Sequence, residues 1–154
     1  MYKCCIFDLD GTLVNSIYAI QKSVNDTLSY WNMREISVEE SRLYVGDGYK
    51  KLLERSLIAC GDKELAHYDE AVDRYQDIFR KCCMYRVEAY EGIRELLEFL
   101  KSQGILIAVL SNKPHHRTWT MWRACLEKAI LIWSTARGRI RESGKSPALT
   151  AYGP

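Results

Sequence analysis

The chain opens on an apolar run, Cys4-Cys5-Ile6-Phe7, which is too short for a helix and suits a buried strand. The period then changes. Ile17, Ile20, Val24, Leu28 and Trp31 recur at helical spacing, with Asn15 and Ser16 as candidate caps and Asn32 closing the element. Ser37 or Ser41 begins a shorter helix. Gly46-Asp47-Gly48 opens another, whose stripe is Tyr49, Leu52, Leu53, Leu57 and Cys60 and which Gly61 stops. A long helix from about 63 to 84 carries Tyr68, Val72, Tyr75, Phe79 and Cys82. Residues 16–88 therefore predict helices alone. Farther on, Ile93, Leu96, Leu97 and Leu100 trace one more helix, which Gly104 ends, and Ile105 to Leu110 is a continuous apolar run suited to a buried parallel strand. Helix, glycine turn and buried strand make half of a doubly wound unit. The predicted fold class is α/β, with a parallel-sheet core from residues 1–15 and 89–154 and an all-helical insertion over 16–88.

Both predicted strands end in polar side chains. Asp8 and Asp10 follow the first, on the same face if the strand continues, and Gly11 permits an immediate turn before Thr12. Two acids at the end of a buried strand are costly unless a cation or proton compensates them. Ser111, Asn112, Lys113 and Pro114 follow the second strand, at the edge where open α/β sheets bind ligands. Neighbouring strands would bring Asp8, Asp10, Ser111 and Asn112 together. Ser111 and Asn112 also suit a helix N-cap, and Lys113 is expected to be a solvated surface charge.

Phe7-Asp8-Leu9-Asp10-Gly11-Thr12-Leu13-Val14 resembles the first motif of the haloacid dehalogenase superfamily, within it the phosphatase branch, and most of all the phosphoglycolate phosphatases. The resemblance runs from Tyr2 to about Arg117 and returns briefly at Ser146 to Gly153. It implies a Rossmann-like core and identifies the helical insertion as a cap that closes over the site. It implies that Asp8 is the nucleophile, forming an aspartyl phosphate, and that Asp10 is the general acid and base. A Mg²⁺ ion is expected on Asp8 and on the main-chain carbonyl of Asp10. Dehalogenases of the superfamily lack the second acid, because halide leaves without a proton, so Asp10 points to a phosphate ester. Ser111 and Asn112 match the second motif, with Ser111 expected on the phosphoryl oxygens. Gly46, Asp47 and Gly48 fall in the cap segment that faces the substrate in the family, with Gly11 and Thr12 expected at the phosphate; Arg42 and Lys50 are near enough to assist with an anionic substrate. Asp47 has the plainer role of capping the helix that follows.

The later motifs depart from the pattern. The tail Ser146-Pro147-Ala148-Leu149-Thr150 fits the third motif, but Gly144 stands where its lysine belongs and Lys145 is one position late. Lys145 is the candidate, although a one-residue shift in an extended segment turns a side chain to the other face. No acid follows Glu142 to serve as the fourth motif. The sequence is therefore expected to be shortened at its C-terminus, with one sheet edge unpaired. Residues 117–142 crowd Trp119, Trp122, Trp133 and five arginines together, and Ala129 to Trp133 suits a strand. Three explanations stay open for that segment: a stretch read out of frame, a divergent but genuine one, or a basic aromatic surface for nucleic acid.

Composition narrows the classes. A chain of 154 residues with 47% hydrophobic content can form one ordinary core. Its net charge of +2 argues against a dedicated nucleic-acid or membrane partner, and no apolar stretch reaches membrane-span length. Six cysteines without a Cys-x-x-Cys pair, and no signal-peptide pattern, lead to the expectation of a cytoplasmic protein with buried free thiols. The expected function is a Mg²⁺-dependent phosphomonoester hydrolase of a small phosphorylated metabolite, phosphoglycolate by resemblance. The alternative is an inactive fragment of such an enzyme, at most a binding module. Nothing in the sequence sets the oligomeric state.

Overall fold

In the computed structural model, residues 2–111, 113, 120–121, 123–126, 131–134 and 139–142 are described. The elements in chain order are β1 (Cys4–Phe7), β2 (Val14–Asn15), α1 (Ile17–Leu28), a 3₁₀ turn (Ser29–Trp31), α2 (Val38–Tyr44), α3 (Tyr49–Ala59), α4 (Tyr68–Cys82), β3 (Glu88–Ala89), α5 (Ile93–Ser102), β4 (Leu106–Ser111), β5 (Leu131–Ser134) and β6 (Arg139–Glu142). The chain divides into two compact units, Met1–Leu13 with Ala89–Pro154, and Val14–Glu88.

The first unit holds a four-stranded sheet of order β1-β4-β5-β6. β1 pairs parallel with β4, Cys4 opposite Leu106 through Phe7 opposite Val109. β5 pairs parallel with β4, Ala108 opposite Leu131 through Ser111 opposite Ser134, and β6 returns antiparallel. The run Ile105–Leu110 is not buried on both faces as its sequence suggests. Alternation sorts it: Ile107, Val109 and Ser111 are buried, whereas Leu106 and Leu110 are exposed. The same exposed face continues across the register to Cys4 and to Ile6, which is 67% exposed. α5 packs on β4 and buries Leu97 and Leu100, so among the described residues one face of these two strands is covered and the other is not.

The Val14–Glu88 unit has its own core. Val24 and Leu28 of α1, Leu53 and Leu57 of α3, and Ala71, Tyr75 and Phe79 of α4 close around Ile36, with Ile20, Trp31 and Val72 packed against them. Ser37 caps α2 in a reciprocal box: its hydroxyl accepts from the Glu40 N–H and the Glu40 carboxylate accepts from the Ser37 N–H. Asn32, at φ 52°, ends the 3₁₀ turn. The long helix expected from about 63 begins only at Tyr68. The Asp62 carboxylate accepts the Ala66 and His67 N–H groups, and Leu65 sits at φ 56°, so residues 62–67 form a capped turn instead. β2 and β3 pair with each other as a two-stranded sheet.

The thiols are less buried than expected. Cys125 is buried, Cys4 is exposed, and Cys5, Cys60, Cys82 and Cys83 are intermediate, because Cys4 lies on the uncovered face and Cys60, Cys82 and Cys83 lie at helix ends. Among the described residues no helix is long and apolar enough to cross a membrane.

Candidate active site

The acid-bearing loop is pinned from within. Leu9 and Leu13 are fully buried, and the Leu13 N–H donates to the Leu9 carbonyl at 3.0 Å, closing a tight turn. Gly11 takes φ 79° in that turn, a conformation that costs a residue with a Cβ. With both leucines inward, Asp8, Gly11 and Thr12 are exposed and Asp10 is half-buried. The Asp8 Oδ1 accepts the Leu9 N–H at 2.7 Å, which fixes one carboxylate oxygen and leaves the group facing solvent.

β4, the parallel neighbour of β1, ends at Ser111, so its carboxyl end and the loop after β1 lie at the same edge of the sheet. Ser111 is buried, and its Oγ accepts the Lys113 N–H at 3.2 Å. That bond turns the chain back so that the Lys113 Nζ donates to the Asp10 Oδ1 at 2.8 Å. The expectation of a solvated Lys113 is corrected: its side chain is 8% exposed, its ammonium lies 3.0 Å from the Met121 sulfur, and it forms an ion pair with Asp10. A lone lysine after a strand carries no sign of this, because its partner lies 103 residues away in sequence. Asn112 and Lys145 lie outside the described residues.

Gly46, Asp47 and Gly48 belong to the helical unit and are exposed there. Gly48, at φ 84°, is the N-cap of α3, and no side chain caps it. Asp47 is therefore not the cap. Its carboxylate pairs instead with Arg55, whose other nitrogen donates to the Tyr44 carbonyl at 2.8 Å. Arg55 lies eight residues after Asp47, which stands outside the helix, so helical spacing in the sequence carries no sign of the pair. Arg42 and Lys50 are exposed.

Oxygen donors for a hard cation are present in the carboxylate of Asp8 and the main-chain carbonyl of Asp10. The Asp10 Oδ1 is taken by Lys113. Among the described residues no three His, Cys, Asp or Glu side chains cluster. Magnesium needs no such cage, since it retains waters and takes one or two carboxylates plus phosphate oxygens.

The chain is similar in sequence and in fold to known proteins. The sequence model of the Haloacid dehalogenase-like hydrolase family matches residues 5–128. Phosphoglycolate phosphatase of Pseudomonas syringae pv. tomato is 34% identical over 116 residues, which are 73% of this chain and 42% of that protein. Phosphoglycolate phosphatase of Colwellia psychrerythraea is 34% identical over 113 residues, 71% of this chain and 50% of that protein. The chain thus spans about half the length of the curated relatives it matches. In fold it is similar to a predicted phosphoglycolate phosphatase from Haemophilus somnus, with TM-score 0.76, 23% identity, and 90% of this chain and 65% of that one covered. A predicted phosphatase from Clostridium acetobutylicum is 30% identical at TM-score 0.65, with 87% and 62% covered. With the family's sequence pattern extending through both units and its fold reproduced, the chain belongs to the haloacid dehalogenase-like hydrolase family.

Proposed function

We propose that the chain is a phosphomonoester hydrolase of a small phosphorylated metabolite, with phosphoglycolate as the substrate, working through an aspartyl phosphate on Asp8. The observation that carries this reading is the unlike setting of two carboxylates two residues apart. Asp8 is open to solvent, as a nucleophile must be, while Asp10 is half-buried and tied to a buried ammonium. Groups of one chemical type held in different surroundings are suited to different tasks.

In this mechanism the Asp8 carboxylate, steadied by the Leu9 N–H, attacks phosphorus as the P–O bond to the alkyl group breaks. Asp10 gives a proton to the departing alkoxide and then takes one from the water that hydrolyses the acyl phosphate, which returns Asp8 and releases phosphate. Ser111 and Asn112 hold phosphoryl oxygens, Gly11 and Thr12 line the phosphate, and Lys145 balances its charge. Asp8 and the Asp10 carbonyl would hold Mg²⁺, which when bound would supply positive charge to offset repulsion of the carboxylate nucleophile by the phosphate dianion.

The test is phosphate release from phosphoglycolate and from 4-nitrophenyl phosphate by the purified chain, with Mg²⁺ or with a chelator, beside Asp8→Asn. Turnover is expected with Mg²⁺ and at background level in the other two arms. Release that persists in Asp8→Asn refutes the covalent mechanism. Folded protein with no Mg²⁺-dependent release would refute the phosphatase reading.

A further inference from the structure

We propose that Lys113 is the positioning residue for Asp10, holding its carboxylate at the sheet edge in the orientation that proton transfer to the leaving group requires. The proposal rests on the phosphatase reading and adds a residue to it. Three observations lead there. The Lys113 ammonium is 2.8 Å from the Asp10 Oδ1, on a side chain only 8% exposed, so the contact is not a surface pair held loosely in water. The Lys113 N–H is anchored to the Ser111 Oγ at 3.2 Å, and Met121, itself 1% exposed, lies 3.0 Å from the ammonium, so the lysine is fixed from two sides. Finally, Asp10 precedes Gly11, which is at φ 79° in an exposed turn, so the lysine ties this turn to the end of the neighbouring strand.

A general acid must lie within hydrogen-bond reach of the atom it protonates, and a misplacement of about 1 Å can cost about a hundredfold in rate. The pair ties the loop after β1 to the loop after β4 across neighbouring strands.

Leaving-group dependence separates this role from a structural one. An alkyl phosphate needs protonation of its leaving oxygen, whereas nitrophenolate departs without it. In Lys113→Met, kcat/KM for phosphoglycolate is expected to fall about a hundredfold, and for 4-nitrophenyl phosphate less than about threefold, since its first step needs no general acid. Adding Lys113→Met to Asp10→Asn is expected to cost nothing further on phosphoglycolate, because the lysine acts through the carboxylate. If Lys113→Met does not fold, as judged by far-UV circular dichroism, Lys113→Gln carries the same comparison. Equal losses on both esters, or an added loss in the double variant, overturn the positioning role while the phosphatase reading stands. A wild-type chain that turns over neither ester refutes the phosphatase reading and this role with it.

Discussion

Ile36 carries no hydrogen-bonding side chain, yet its buried backbone is a polar centre of the helical unit. It is 1% exposed, its N–H donates to the Asn25 Oδ1 at 2.9 Å, and its carbonyl accepts from the Asn25 Nδ2 at 3.1 Å and the Gln21 Nε2 at 2.9 Å. Asn25→Ala strips the N–H of this partner and takes one of two donors from the carbonyl. An orphaned buried donor costs about 1–3 kcal/mol, and a thinned acceptor about 0.5 kcal/mol, so the expected loss is about 1.5–3.5 kcal/mol. Gln21→Ala removes only one of the carbonyl's two donors and is expected to cost about 0.5–1 kcal/mol. The assay is urea unfolding followed by far-UV circular dichroism, which reads α1–α4 of this unit, under reducing conditions because Cys4 is exposed. At slopes of about 1–3 kcal/mol per molar urea, Asn25→Ala lowers the midpoint by about 0.5–3.5 M. A midpoint for Asn25→Ala no lower than that for Gln21→Ala would refute the reasoning, because the orphaned N–H is what separates the two.

Other substitutions test neighbouring claims. Leu53→Ala, at a fully buried site in the same core, is expected to cost about 3–5 kcal/mol in the same assay, and a loss below about 1 kcal/mol would show that the site is not packed as described. Thr27→Val is expected to change stability by less than about 1 kcal/mol, because the Thr27 hydroxyl serves only the Ser23 carbonyl, 2.7 Å away, and the valine keeps its shape. The Arg34 guanidinium, and then the Ser37 N–H, hold the Glu40 carboxyl at about 2 rather than its ordinary 4.5. A folded-state value below the unfolded one means that this contribution to stability is complete above pH 4.5 and is lost as pH falls towards 2. Urea midpoints measured across that window should fall less steeply in Glu40→Gln than in the wild type, and parallel curves would remove Glu40 from the account.

Much of the helical unit could be read from spacing alone. Val24, Leu28, Leu53, Leu57, Tyr75 and Phe79 all lie on predicted stripes and all are buried. What spacing missed were small polar residues inside the same core. Ser23, Thr27, Ser41 and Ser56 are fully buried, and each hydroxyl donates to the carbonyl four residues earlier. That local bond satisfies the oxygen without any outside partner, so a residue that looks polar in sequence packs as if it were apolar. The strand at Ile105–Leu110 was legible as a strand but not in its exposure, since an apolar run does not say whether both sheet faces are covered. At the site, Asp8, Asp10 and Ser111 were visible because each lies at or just beyond the carboxyl end of a strand. The tie between Lys113 and Asp10 was not, because only the parallel pairing of β1 with β4 makes residues so distant in sequence neighbours.

The pairing of β2 with β3 has a consequence for how such a chain can evolve. Paired strands lie about 4.8 Å apart, so Val14–Glu88 leaves and returns at nearly one point. The Tyr90 N–H donates to the Leu13 carbonyl at 3.1 Å, which closes the stem just before the departure. For the sheet, the entire helical unit is equivalent to a hairpin turn. A module whose ends already meet can be lengthened, exchanged or replaced by a short linker without altering the path of the strands, as insertions at such points are tolerated. The helices are thus free to diversify as a graft, while the strand that leads into the two aspartates keeps its register.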